Sequence, residues 1–289
     1  MPKFTAVRSE GSFVDPQGVT IRTYAWKVGK PKGVVQIVHG LGEHALRYEA
    51  LAQELVAAGY SVYADDHRGH GATGVDQHGG DMSRMGKLGP GGLRATVDAV
   101  RQFTQIIRSE NPGLPLAAIG QSWGSLMLQK IVNTNSDDFD AVVLTGTAYR
   151  TLFDMNSGDL NAKHKHLGTT GNEWLSRDPA VHTAFQNDPL TFYAAAAKLF
   201  GLVDGMRLLG TPAKNLASDI PILILIGSED SLGGEKSVEK LAKAYVERSQ
   251  LSDVQAIVYP GARHEVFNET NRAEVVADLI AWLDAHLTA

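Results

Sequence analysis

Leu116-Ala117-Ala118-Ile119-Gly120-Gln121-Ser122-Trp123-Gly124 is the stretch that decides the fold. An apolar run of strand length leads into Gly-x-Ser-x-Gly, and the helix-prone segment Ser125-Leu126-Met127-Leu128-Gln129-Lys130 follows. Strand, sharp turn and helix in that order are the setting of a nucleophile elbow, where the turn thrusts a serine hydroxyl out past the end of the strand. Glycines at 120 and 124 remove the Cβ atoms that would block close approach of neighbouring elements. A helix starting just after the serine aims its free N–H groups at the oxygen on which negative charge develops. The bland alternative is a strand-to-helix turn without chemistry; the flanking strand and helix favour the elbow.

Upstream, Val34-Val35-Gln36-Ile37-Val38 has the β-branched density of a strand buried on both faces, and it runs directly into His39-Gly40-Leu41-Gly42-Glu43-His44. An oxyanion hole takes one backbone donor from the residue after the nucleophile and one from a neighbouring loop. The N–H groups of Trp123 and Leu41 fill those two places. Gly40 and Gly42 allow the tight loop this requires, while His39 and His44 flank it as supports. A glycine-rich turn of purely structural purpose would read the same in isolation; the elbow decides between them.

A nucleophilic serine needs a base, and the base needs an orienting acid. Ile220-Pro221-Ile222-Leu223-Ile224-Leu225-Ile226 is the most apolar strand candidate and ends in Gly227-Ser228-Glu229-Asp230. A helix over roughly 235–248 and a strand over 254–259 follow, and the exit loop of that strand carries Gly261-Ala262-Arg263-His264-Glu265. Ser122, Asp230 and His264 therefore occur in the chain order of an α/β-hydrolase, each just past the carboxyl end of a strand. Glu229 is the alternative acid, although Asp230 lies further along the loop. Of the other histidines, His164, His166 and His286 are expected in solvent, and His67, His70 and His78 are expected as loop residues, since no ligand spacing on a helix supports a metal.

The stretches His39–Gly71, Gly80–Gly92, Gly120–Ser125, Leu225–Leu232 and Gly261–Glu269 together resemble the monoacylglycerol lipase and lysophospholipase group of α/β-hydrolase serine esterases. The resemblance implies Ser122, Asp230 and His264 as nucleophile, acid and base, with Leu41 and Trp123 as oxyanion donors. It implies ester hydrolysis through an acyl-enzyme, with no cofactor. The elbow departs from the group at Gln121 and Trp123, where its members often read His and Met. A Trp at that place predicts a shorter or narrower acyl pocket.

Strand and helix alternate over 34–145 and again over 221–286, which predicts a mostly parallel sheet with helices on both faces, preceded by two or three antiparallel strands in 4–27. Between 148 and 217 the alternation lapses into short helical patterns broken by Gly158, Gly168, Gly171, Pro179, Pro189 and Gly201. We therefore expect a hydrolase core over 1–147 and 218–289, with a helical cap over 148–217. Phe192, Leu199 and Phe200 in that cap, together with Trp123, are candidates for the substrate pocket; apolar stripes at helical spacing equally serve plain packing. Gly69-His70-Gly71-Ala72-Thr73-Gly74 matches a dinucleotide fingerprint, but it starts several residues past its strand and 75–80 reads as loop, so that reading is set aside.

The composition, 43% apolar and 20% charged over 289 residues, suits a large buried core. A net charge of −5 with scattered basic residues gives no footprint for nucleic acid. The absence of cysteine excludes a thiolate nucleophile, a disulfide frame and a cysteine zinc site. Met1–Arg8 lacks the apolar core of a signal peptide, and no run approaches the roughly 18 apolar residues of a membrane span. These features predict a cytoplasmic enzyme acting on a small-molecule ester, with at most transient membrane contact through the cap. A proline-releasing peptidase, a lactonase and a ligand-binding protein with slow turnover are the rival readings on the same fold.

Overall fold

Two faces of one sheet organise the chain, and the alternation of side chains along each strand assigns residues to them. The computed structural model describes residues 6–287, so the expectation for Met1–Thr5 lies outside the described residues. In chain order the elements are β1 (Arg8–Val14), β2 (Thr20–Trp26), β3 (Gly33–Val38), α1 (Glu49–Ala57), β4 (Tyr60–Asp65), α2 (Gly71–Gln77), α3 (Gly92–Glu110), β5 (Leu116–Gln121) and α4 (Trp123–Asn135). They continue as β6 (Ala141–Thr145), α5 (Pro179–Asn187), α6 (Ala196–Leu208), β7 (Ile222–Gly227), α7 (Gly234–Glu247), β8 (Val254–Tyr259) and α8 (Arg272–His286).

The strands pair in the order β1-β2-β4-β3-β5-β6-β7-β8. β1 and β2 are antiparallel to their neighbours, and every pair from β4 onward is parallel. Along β7, Leu223 and Leu225 pack with α1 and α8 residues such as Leu55, Leu279 and Leu283. Ile222, Ile224 and Ile226 pack on the opposite face with Met127 of α4 and Val238 and Leu241 of α7. Each such side chain contributes about 1.5–3 kcal/mol by leaving water, which is why both faces must be covered. The helix α3 buries Leu93, Thr96, Val100, Phe103 and Ile107 at three- and four-residue intervals and leaves Arg94, Asp98 and Glu110 to solvent.

Two local expectations change. Residues 75–80 are not wholly loop, because α2 forms at 71–77. The glycine motif over 69–74 thus does open into a helix, but the place a phosphate would take is filled by the Asp66 carboxylate, which accepts from Ala72 N–H at 2.7 Å and from Ala45 N–H at 2.9 Å. Only glycine fits at 71, where φ is +52° and a Cβ would fall 2.2 Å from that carboxylate. The segment between β6 and β7 contains α5 and α6 and, among the described residues, no strand. Within α6 the backbone breaks at Gly201, whose φ of 66° and ψ of −176° are far from helical.

The strand order reverses between β3 and β5: the chain leaves β3 for β4 on one side and returns as β5 on the other. At the carboxyl ends of such a reversal the two exit loops diverge and leave a crevice. Val38 pairs with Gly120 there, so the loop after β3 and the turn after β5 emerge side by side.

Candidate active site

At the turn after β5, Ser122 takes φ 53° and ψ −122°, one of two positive-φ non-glycine residues among the described residues. Backbone held there against its preference is a feature of functional turns. The turn exists because its flanking glycines permit it. A Cβ on Gly120 would lie 2.7 Å from Ser125 Cα, and one on Gly124 would lie 2.1 Å from Val38 O. Ser122 N–H donates to Thr145 O at 2.9 Å, fastening the turn to the end of β6, and α4 begins at Trp123.

Asp230 and His264 come from the loops after β7 and β8. His264 Nδ1 lies 3.1 Å from both Asp230 carboxylate oxygens. His264 Nε2 is buried and has no hydrogen-bond partner among the described residues, and the His264 ring shares a cavity wall with Ser122. Burial works against a charged His264, yet the Asp230 carboxylate, helped by Glu265 and Glu43, outweighs it and holds the imidazole above the ordinary histidine range. Glu229, the alternative acid, is instead paired with Lys163 at 2.5 Å on the outside of the loop.

The loop after β3 sits against the serine: a Cβ on Gly40 would lie 3.1 Å from Ser122 Cβ. Among the described residues no acceptor takes the N–H of Leu41 or of Trp123. His39 donates from Nδ1 to Gly40 O at 2.7 Å and accepts the His67 N–H at Nε2, 3.0 Å away, an arrangement that requires a neutral ring. Burial, with His67 and His70 close by, pushes His39 well below the usual range and keeps it so. His44 pairs with Asp188 at 2.8 Å, and Gly42 O accepts from Phe192 N–H at 2.9 Å, so the segment between β6 and β7 is stitched to this loop.

Sequence reading missed the charged frame behind these loops. Glu43 accepts from Gly40 N–H at 2.6 Å and from the Tyr48 hydroxyl at 2.8 Å, and it pairs with Arg47 at 2.6 Å. Arg47 also grips Glu265, the neighbour of His264, with both Nη atoms. Burial alone would raise Glu265, but Arg47 outweighs it and holds the carboxyl below its ordinary value. The i, i+4 spacing of Glu43 and Arg47 was a readable signal; their junction with a residue more than 200 positions away was not. His164 departs from expectation as well. It is buried, not solvated, because its Nε2 donates to Glu229 O at 3.0 Å. His286 is likewise held, between Trp282 O and Asp253. His166 is exposed as expected. His67, His70 and His78 are spent on Asp65, Arg68 O and Lys87 O.

A cavity of about 680 Å³ opens above Ser122. Trp123, Phe192 and Phe200 line it, along with Leu126, Met155, Trp174, Leu208 and Leu232. Leu199 does not: one residue before Phe200 on α6, it is turned about 100° around the helix, and its methyl groups face Gly86. The Trp123 indole packs against His70 and Phe200, with ring centres 5.2 and 5.4 Å apart.

Residues 29–271 match the family described as serine aminopeptidase, S33. The chain belongs to that family. It is a monoacylglycerol-lipase-like α/β-hydrolase, 33% identical over 98% of its length to a monoacylglycerol lipase of Mycolicibacterium smegmatis, 99% of which is covered. A human monoglyceride lipase is 27% identical over 84% of this chain and 79% of its own. Among solved structures, a thermostable carboxyl esterase of Bacillus coagulans superimposes with a TM-score of 0.77 at 24% identity, covering 98% of this chain and all of its own. A monoglyceride lipase of Saccharomyces cerevisiae gives a TM-score of 0.76 at 20% identity, covering all of this chain and 98% of its own. At those identities the two structures speak for the fold. Among the described residues no helix is long and apolar enough to cross a membrane.

Proposed function

We propose that this carboxylic-ester hydrolase works through Ser122, His264 and Asp230. The observation that carries the reading is the His264 ring: one nitrogen is engaged by Asp230, and the other is buried and, among the described residues, without a partner beside the cavity that Ser122 lines. Ser122 Oγ attacks the ester carbonyl carbon as His264 Nε2 takes the hydroxyl proton, and the tetrahedral oxyanion is received by the Leu41 and Trp123 N–H groups. The intermediate collapses, the alcohol departs with the proton from His264, and an acyl-serine remains. Water then attacks that ester, giving its proton to His264, and the acid leaves as Ser122 recovers its hydrogen. Asp230 keeps the ring in the Nδ1–H tautomer and stabilises the imidazolium in both steps.

Residues 148–217 serve as a cap that roofs the cavity and selects the ester, a monoacylglycerol or a short- to medium-chain acyl ester. Its mostly apolar walls suit an acyl chain. Exposed Leu152, Tyr193, Leu202 and Met206 at the cavity suit transient contact with the lipid phase from which such an ester comes. A peptidase needs an acid free to meet a substrate amino group, and four of the cap's five candidates lie in other contacts: Asp154 is taken by Lys240, Glu173 by Asn161 and Thr170, Asp178 by the start of α5, and Asp188 by His44. The fifth, Asp159, is exposed at the cavity and accepts the Asn161 N–H at 2.9 Å, so it is the group through which the aminopeptidase reading would work. The test is a screen of esters from acetyl to palmitoyl, monoacylglycerols, lactones and prolyl amides, on wild type and Ser122→Ala. Serine-dependent turnover confined to prolyl amides would overturn the ester reading.

A further inference from the structure

Gln121 precedes the proposed nucleophile, and its side chain is buried. Its carboxamide makes two bonds of opposite sense. Oε1 accepts from the Thr145 hydroxyl at 2.6 Å, and Nε2 donates to the backbone carbonyl of His264 at 3.0 Å. The orientation is forced, because the reverse would set the amide oxygen against the His264 carbonyl and leave two acceptors facing each other. Thr145 is the last residue of β6, and Gly146 after it leaves the space through which the second bond passes. A Cβ on Gly146, whose φ is +50°, would fall 2.5 Å from Gln121 Nε2 and 2.8 Å from His264 O.

On its other side the His264 loop is held by the cap: His264 N–H donates to Trp174 O at 3.3 Å and Glu265 N–H to Leu175 O at 2.8 Å. Gln121 is thus the core's own side-chain grip on the His264 backbone, and it stands one peptide from Ser122. Resting on the assignment of Ser122 and His264 made above, we infer that Gln121 is a positioning residue that sets the spacing of nucleophile and base through the Thr145–Gln121–His264 chain of hydrogen bonds. The grip acts on the base's main chain and touches no substrate, so its loss should appear in turnover and leave substrate affinity alone.

The experiment compares Gln121→Leu, Gln121→Glu, Thr145→Val and the Gln121→Leu/Thr145→Val pair with wild type. It measures kcat and KM per active site titrated with a fluorophosphonate, together with the pH profile of kcat/KM. Gln121→Leu keeps the volume and removes both bonds. It should lower kcat by about 10–100-fold, the scale of a small misplacement of a reacting group, with KM within about twofold of wild type. Gln121→Glu puts a carboxylate near the imidazole and should move the acidic limb of the profile to higher pH, which reports that position 121 lies within electrostatic reach of the base, while the drop in kcat at unchanged KM is the readout that a residue serving only stability would not give. Thr145→Val frees the amide at one end and should cost less than Gln121→Leu, while the pair should be no worse than Gln121→Leu alone, as members of one chain are not additive. Should Gln121→Leu not fold, Thr145→Val and Gln121→Glu carry the same test. Wild-type kcat and an unmoved acidic limb in the folded variants would overturn this inference. Activity retained in Ser122→Ala would instead overturn the site assignment on which it rests.

Discussion

Arg47 holds Glu265 with two parallel hydrogen bonds of 2.7 and 2.8 Å, joining the segment that follows the loop after β3 to the residue beside His264. Both side chains are nearly sealed from water. Bidentate geometry makes such a pair strong, and burial makes either partner alone costly. The frame formed by Glu43, Arg47 and Glu265 thereby ties the loops after β3 and β8, which come from opposite ends of the chain.

Removing one partner is expected to destabilise the protein sharply. Arg47→Ala leaves Glu43 and Glu265 facing each other without a counter-charge, and chemical denaturation should show a loss of about 3–5 kcal/mol. Glu265→Gln keeps the shape and some of the hydrogen bonding, so its loss should be the smaller of the two. Equal and negligible effects in both variants would mean that the pair is not a mechanical link.

For the nucleophile, Ser122→Ala should reduce ester turnover by roughly 10⁵–10⁶ while the protein stays folded. A fluorophosphonate should add once, at Ser122, as located by mass spectrometry of a digest. Ser122→Gly adds a stability readout. With φ at 53° the serine pays for its position, and glycine there should raise the thermal midpoint by relieving on the order of 1 kcal/mol. A lowered midpoint would show that the turn is not strained.

The acidic limb of kcat/KM reports the free enzyme's base. Since Asp230 and the nearby carboxylates hold His264 above its ordinary value, the limb should lie above about 6.5, the value of an unperturbed histidine. Asp230→Asn removes the dominant raising charge and leaves burial, so the limb should move to lower pH while turnover drops by about 10⁴. The linkage sign follows from the same shift. A base with a raised folded-state pKa contributes stability that is fully present below about 6.5 and is lost as pH rises through the folded value. Denaturation of wild type and Asp230→Asn on both sides of that window should show the wild-type advantage shrinking toward alkaline pH.

Local pattern carried most of what could be read in advance. The turn at Ser122 announces itself because glycine spacing and the following helix are sequence-local, and Asp230 and His264 are legible because each follows an apolar strand. What was not legible depends on long-range packing. Nothing near His164 in sequence says that its ring will meet Glu229 O, and nothing near Gln121 says that its amide will meet His264 O. Gly69–Gly74 misled in a different way: a seven-residue helix is too short to show a period, and the carboxylate that fills its N-terminus comes from Asp66 upstream. Leu199 shows that apolar identity does not give direction, since a one-residue step on a helix separates a cavity wall from a packing contact.

The last prediction concerns Trp123, where a backbone donor and a large ring occupy one residue. Its indole is only 2% exposed and is wedged between His70 and Phe200, yet the residue contributes to the cavity wall. A ring so held cannot swing aside for a long chain without disturbing both neighbours, so the wild type should favour short to medium acyl chains. Trp123→Met keeps the N–H donor, and its flexible side chain yields room, so small esters should still turn over while longer ones gain by about 1–3 kcal/mol for each methylene newly accommodated. Trp123→Ala should open the wall further, but deleting a buried indole costs about 3–5 kcal/mol of stability, so it must be assayed well below its lowered midpoint. Measured as kcat/KM from acetyl to palmitoyl esters, the ratio of long to short should rise from wild type to Met. A wild type that already prefers palmitoyl, with a ratio unmoved by Trp123→Met, would show that the acyl chain runs along Phe192 and Met155 instead and never meets the indole.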